Sequence, residues 1–156
     1  GARPGDLLFV TGPLGGSLAS GRHLTFRPRL DIARWLADSV SVSALMDISD
    51  GLATDLPRMM QASGTSARLT AADIPIHSDV PPDLPPALRL QAALSDGEDF
   101  ELLLAVPPAA ATALQAAPEG LAFQQIGSVE TGQGITLLMP GGQSSRLPAG
   151  GWQHRL

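Results

Sequence analysis

The stretch that most constrains this chain runs from Leu45 to Leu52: Leu-Met-Asp-Ile-Ser-Asp-Gly-Leu. An apolar run stops at two carboxylates, Asp47 and Asp50, with the Ser49 hydroxyl between them and Gly51 directly after. An amphipathic segment opens at Leu52. The pattern reads as a strand ending, a tight turn and a helix beginning. If the strand runs to Ser49, its two-residue period sets Asp47 and Ser49 on one side and turns Ile48 toward a core. Asp50 stands where a helix N-cap belongs, and Gly51 lets another group come close to the backbone. Two readings fit these residues. One is a cap with a solvated turn; the other is a set of hard oxygens holding a divalent cation that carries phosphate oxygens.

Flanking segments alternate between strand and helix signals. Asp6 to Thr11 reads as a buried strand, followed by the turn Gly12-Pro13-Leu14-Gly15-Gly16-Ser17 and a short helix to Leu24. That turn carries neither a Walker motif nor Gly-x-Gly-x-x-Gly. It is either a turn that needs glycine's backbone or a phosphate cradle. Pro28 opens a helix over Arg29 to Val40, with Ile32, Ala33, Leu36 and Val40 as its apolar stripe. Trp35 lies off that stripe and is expected to pack at a domain or subunit boundary.

The helix after the central motif runs from Leu52 to Ser63 and closes at Gly64. Pro57 lacks the N–H that would bond back to Ala53, so a tight first turn over Gly51 to Leu56 is expected, with the main helix starting at Pro57. Asp55 falls near the helix N-terminus, as a dipole partner or facing the site. Ser66 to Thr70 is a strand, and Asp79 to Pro86 is a proline-rich loop. Ala87 to Leu94 is a short helix, and Phe100 to Val106 a strand. Pro107 to Ala117 is helical; Phe123 to Val129 and Ile135 to Met139 are strands; Gly141 to Leu156 is mostly irregular. Without a regular βαβ rhythm, the fold class is α+β, a mixed sheet with packed helices.

Just before the Phe100 strand, Glu98, Asp99 and Glu101 crowd together behind Ser95-Asp96-Gly97. Such crowding raises repulsion unless a positive group lies nearby. An arginine, a metal, a cationic ligand or plain solvation each answers it. Near the end stand Trp152 and His154; a terminal Trp packs, or stacks on a cationic ring. His23 and His77 are isolated, as surface or capping residues.

Composition narrows the function classes. With 156 residues the chain is one domain, 1–156, able to bury a core. Its net charge of −5 opposes a nucleic-acid surface, and a polyphosphate ligand would need cations to offset repulsion. All ten basic residues are arginine, which removes a P-loop lysine, and the lack of cysteine removes disulfides and thiolate metal sites. No apolar run approaches the roughly 20 residues of a membrane span. These features point to a cytoplasmic protein with no membrane or nucleic-acid partner. The chain starts at Gly1 without a methionine and is soon in a strand, as expected for a piece of a longer protein.

Three stations then stand in one order: Asp47-Ile48-Ser49-Asp50-Gly51-Leu52, Gly97-Glu98-Asp99-Phe100-Glu101-Leu102, and Gly151-Trp152-x-His154. Together with Pro4-Gly5-Asp6, Val10-Thr11-Gly12 and Arg27-Pro28-Arg29, they resemble the C-terminal domain of the thiamine-monophosphate kinase family. That family belongs to the aminoimidazole ribonucleotide synthetase-like superfamily. The resemblance implies transfer of the ATP γ-phosphoryl to thiamine monophosphate, giving thiamine diphosphate, with Mg²⁺. By motif, Asp47 and Asp50 would ligate Mg²⁺, Ser49 would bind ATP, and Glu98 and Trp152 would hold the thiamine moiety. No residue is assigned as a catalytic acid, base or nucleophile. The resemblance also implies a missing N-terminal ATP/metal-binding and dimerisation domain, a homodimer in the full-length form, and a fragment inactive alone. Asp96 departs from the family, which usually has glycine there, and Pro57 interrupts the usual helix. The alternatives are another ATP-dependent synthetase of the superfamily and a non-catalytic ligand-binding or scaffold domain.

Overall fold

The computed structural model describes residues 1–147. Its centre is a mixed sheet built from β1 (Leu7–Val10), β2 (Ala44–Ile48), β3 (Ser66–Thr70), β4 (Glu101–Val106), β5 (Gln124–Glu130), β6 (Ile135–Leu138) and β7 (Ser144–Arg146). The order across the sheet is β2-β4-β1-β5-β3-β6-β7. Neighbours are antiparallel except β3 and β6, which run parallel. The helices are α1 (Ser17–Ser20), α2 (Leu30–Ser39), α3 (Leu52–Ser63), α4 (Pro86–Ser95) and α5 (Pro108–Leu114).

Strand alternation divides the core into two layers. On one face Leu8, Val10, Ile48, Leu103 and Ala105 meet Leu52, Leu56, Met59 and Met60 of α3 and Leu94 of α4. On the other, Phe9, Leu104 and Val106 meet Ile32 and Leu36 of α2 and Leu114 of α5. Because β4 is covered on both faces, its sequence is a continuous apolar run after Glu101. Each fully buried leucine in these layers contributes roughly 1.5–3 kcal/mol from apolar burial.

Two expectations are corrected. α3 is a single helix from Leu52 to Ser63, with Pro57 inside it. The buried stripe Leu52, Ala53, Leu56, Met59 and Met60 crosses the proline and holds both halves against the sheet. Trp35 is half-buried and makes a ring contact within the chain, on Phe123, with ring centroids 5.7 Å apart. The segment after Gly141 is not wholly irregular, because Ser144–Arg146 pairs antiparallel with β6 through a turn closed by Gly142 N–H to Met139 O at 3.0 Å.

Candidate functional site

β2 is an edge strand of the sheet and lies beside β4, with Asp47 opposite Leu102 and Ile48 opposite Glu101. Beyond the ladder the two chains stay joined. Phe100 N–H donates to Ile48 O at 2.9 Å, and Glu98 N–H donates to Ser49 O at 2.6 Å. The Asp47–Gly51 turn and the Ser95–Phe100 turn therefore form one unit. Their backbones touch where only glycine fits. A Cβ on Gly97 (φ +71°) would lie 3.0 Å from Ser49 O, and one on Gly51 (φ +98°) would lie 3.1 Å from Leu94 O.

Asp55 shapes the first turn from below. Its fully buried carboxylate accepts the amides of Ser49 at 3.0 Å and Asp50 at 2.9 Å, and Arg58 donates to it at 2.9 Å. Burial pushes its carboxyl up, against the opposing amide of Asp50. Asp50 is not the N-cap. Gly51 takes that position with no side-chain bond, and the Asp50 carboxylate instead accepts Arg58 at 2.5 Å. Asp55, four residues into the helix, accepts the amides of the turn itself, whereas a capping Asp50 would accept amides within the helix's first turn.

The acidic cluster is divided among partners. Glu101, 2 % exposed, accepts Thr11 Oγ1 at 2.7 Å and is gripped by both Nε and Nη2 of Arg29. Such a two-pronged arginine–carboxylate pair is the strong form of the interaction. The hydrogen bond to Glu101 raises the Arg29 pKa. Asp99, 3 % exposed, accepts Gly15 N–H at 2.9 Å and Arg22 Nη2 at 3.1 Å. Burial lifts its carboxyl to about 6, with Gly15 and Arg22 holding it lower than burial alone would. Its Oδ2 has no hydrogen-bond partner among the described residues. Asp96 accepts Gly16 N–H at 2.9 Å. The Gly15-Gly16 amides thus serve carboxylates of the chain itself, which favours the structural turn over the phosphate cradle.

Glu98 stands apart in this cluster. Among the described residues its carboxylate has no hydrogen-bond or ion-pair partner, and the same holds for the Asp47 carboxylate and the Ser49 hydroxyl. Glu98 also sits at φ +58° and Phe100 at φ +53°. A left-handed backbone costs a non-glycine residue roughly 1–2 kcal/mol. Strain of this kind collects where surrounding structure holds a functional group in place. Phe100 stacks on Phe26, with centroids 4.1 Å apart and planes at 22°. The strand expected from Phe100 therefore begins only at Glu101.

Of the predicted site residues, the structure brings Asp47, Ser49, Asp50 and Glu98 to one end of the β2–β4 pair. Trp152 and His154 lie outside the described residues. Sequence reasoning did not single out Ser17, Thr11 or Arg22. The crowding of Glu98, Asp99 and Glu101 signalled that cations were needed, but no local pattern says which arginine comes. His77 caps as expected, its Nδ1 accepting the Asp79 amide at 3.0 Å. Among the described residues no group of three or more His, Cys, Asp or Glu side chains is placed to hold a metal by itself.

A mixed sheet whose edge strand ends in this turn, locked to an acidic turn on its neighbour, defines an α+β domain of the AIR synthase related class. The family described as AIR synthase related protein, C-terminal domain, matches residues 3–139, and the chain belongs to it. Within known proteins it is 38% identical over 156 residues to the thiamine-monophosphate kinase of Rhodopirellula baltica, covering 99% of this chain and 49% of that protein. The chain thus spans about half the length of that curated relative. Among solved structures it is similar to the thiamine-monophosphate kinase of Stenotrophomonas maltophilia, with TM-score 0.75 and 25% identity, over 92% of this chain and 52% of that one. It is likewise similar to AaThiL complexed with AMPPCP and TMP, with TM-score 0.73 and 27% identity, over 99% of this chain and 53% of that one.

Proposed function

We propose that this chain is the C-terminal half of a thiamine-monophosphate kinase, which transfers the γ-phosphoryl of ATP to thiamine monophosphate and releases thiamine diphosphate. The observation that carries the proposal is the sorting of polar groups at the joined turns. Asp55, Asp99 and Glu101 are buried and occupied by partners of the chain, whereas among the described residues Asp47, the Ser49 hydroxyl and the Glu98 carboxylate have none. The joint presence of AMPPCP and TMP in the related AaThiL structure supports the same assignment.

The donor set fits Mg²⁺. Two carboxylates, Asp47 and Asp50, offer hard oxygens without completing a cage, which is how Mg²⁺ is held when substrate phosphates supply other ligands. Asp50 would exchange its Arg58 contact for the metal. When bound, Mg²⁺ neutralises phosphate charge that a chain of net charge −5 cannot offset itself.

The chain's own residues position and neutralise. Ser49 donates its hydroxyl to the ATP phosphates from a turn held by Asp55. Glu98 attracts the positive thiazolium of the second substrate, with Trp152 as its proposed aromatic partner. The substrate phosphate is already a nucleophile at neutral pH, so no side chain need become covalent or act as a strong base. Rate then comes from orientation and electrostatic stabilisation. A further N-terminal half with additional acidic metal ligands, a homodimeric whole and a cytoplasmic location belong to the same proposal.

The test is titration of thiamine monophosphate with and without Mg²⁺, in the full-length gene product and its Asp47→Asn variant. Wild type should bind more tightly with Mg²⁺ and ATP present and turn over, and the variant should lose the Mg²⁺ dependence. Equal, metal-independent behaviour of the two proteins would favour a scaffold instead.

A further inference from the structure

From the contacts around Glu98 we infer that Ser17 is a positioning residue for substrate binding, holding the left-handed backbone from which the Glu98 carboxylate departs. The Ser17 hydroxyl donates to Glu98 O at 2.7 Å across 81 positions of sequence. Ser17 is fully buried and opens α1, yet the hydroxyl makes no helix cap. Serine at a helix start normally serves the helix's own amides; here it serves a distant carbonyl.

Glu98 is held from several directions. Its N–H is bound to Ser49 O at 2.6 Å, its carbonyl by Ser17, and the next residue, Asp99, by Gly15 and Arg22. The Ser17 end of this brace is itself fixed. His23 Nδ1 contacts Ser17 O at 3.2 Å, and Arg22 bonds Gly15 O at 3.0 Å and Asp79 at 2.9 Å. The backbone of Glu98 is thus fixed by the Ser17 hydroxyl and by the carbonyl of Ser49 rather than its ligand-facing hydroxyl, while the Glu98 carboxylate meets no partner among the described residues. Removing the Ser17 hydroxyl leaves the Glu98 carbonyl without its donor and frees φ to move toward the extended region that glutamate prefers.

Resting on the proposed substrate role of Glu98, the effect should be selective. In the full-length gene product, Ser17→Ala should raise KM for thiamine monophosphate about tenfold and leave KM for ATP within twofold. Ser20→Ala, which removes a neighbouring hydroxyl bonded to Asp79, is the control and should leave both constants within twofold. Ser17→Cys, of similar size but a weaker donor, should fall between wild type and alanine, and decides the matter if Ser17→Ala does not fold. Backbone chemical shifts of Glu98 in selectively labelled protein give a readout independent of turnover: they should leave the left-handed range in the Ser17 variants. Unchanged Glu98 shifts, or an equal rise of both KM values, overturns the inference. A wild-type protein that does not act on thiamine monophosphate defeats the kinase proposal instead, and the shifts still judge the brace.

Discussion

Replacing Glu98 with glycine should make the domain more stable while weakening its grip on thiamine monophosphate. Glu98 has φ +58°, where a non-glycine residue carries roughly 1–2 kcal/mol of strain. Glycine removes that strain but adds about 0.4–1 kcal/mol of chain entropy to the unfolded state. The carboxylate makes no hydrogen bond or ion pair with the described residues, so no polar contact of the fold is lost. The net gain is about 0.5–1 kcal/mol, and Tm should rise by about 1–4 °C for a domain of this size. Glu98→Gln separates the two effects, since it keeps the strain and removes the charge. Its Tm should match wild type. Both variants should bind thiamine monophosphate at least about tenfold more weakly, about 1.4 kcal/mol, well within what a partly screened charge pair supplies. Thermal unfolding by circular dichroism and calorimetric titration of the full-length protein measure the two quantities. A glycine variant that loses more than about 1 kcal/mol would refute the reasoning, as would unchanged affinity in both variants.

Three further outcomes follow from the same geometry. Gly97→Ala should cost about 2 kcal/mol or more by chemical denaturation, because it adds left-handed strain and sets a Cβ 3.0 Å from Ser49 O. Arg29→Ala leaves the buried Glu101 carboxylate with Thr11 alone; removing one partner of a buried pair costs about 3–5 kcal/mol. Since the Arg29 side chain is 38 % exposed, solvent screening brings the expected loss to about 2–3 kcal/mol. Asp99 has its carboxyl raised from 3.8 to about 6 by burial, so the folded state binds its proton more tightly than the unfolded state. Its contribution is fully present below pH 3.8 and is lost as pH rises through about 6. A shift of this size corresponds to about 3 kcal/mol at most. Asp99→Asn should flatten the stability–pH curve across that window, and an unchanged slope would count against the assignment.

Much of the fold could be read from local pattern. The Leu52–Ser63 helix ends at Gly64 and the Ser66–Thr70 strand has the expected bounds, because periodicity, a left-handed C-terminal glycine and flanking turns are short-range signals. The strand–turn–helix of the central motif was equally visible. Pro57 misled because its cost is local, whereas the buried stripe that overrides it depends on the sheet beneath. The Ser144–Arg146 strand was hidden because three exposed polar residues carry no burial pattern.

By itself, the sequence determined that acids and a hydroxyl would gather at two turns, and that so many acids beside a strand would need cations. Only the tertiary structure decided which acids are structural and which have no partner among the described residues. Arg29 reaches Glu101 across 72 positions, Arg22 reaches Asp99 across 77, and Ser17 reaches Glu98 across 81. These partners meet because β4 lies between β1 and β2 in the sheet, which carries the loop after β1 to the start of β4. The left-handed backbone of Glu98 has the same origin: no local preference of glutamate selects it, and contacts with Ser49 and Ser17 hold it there.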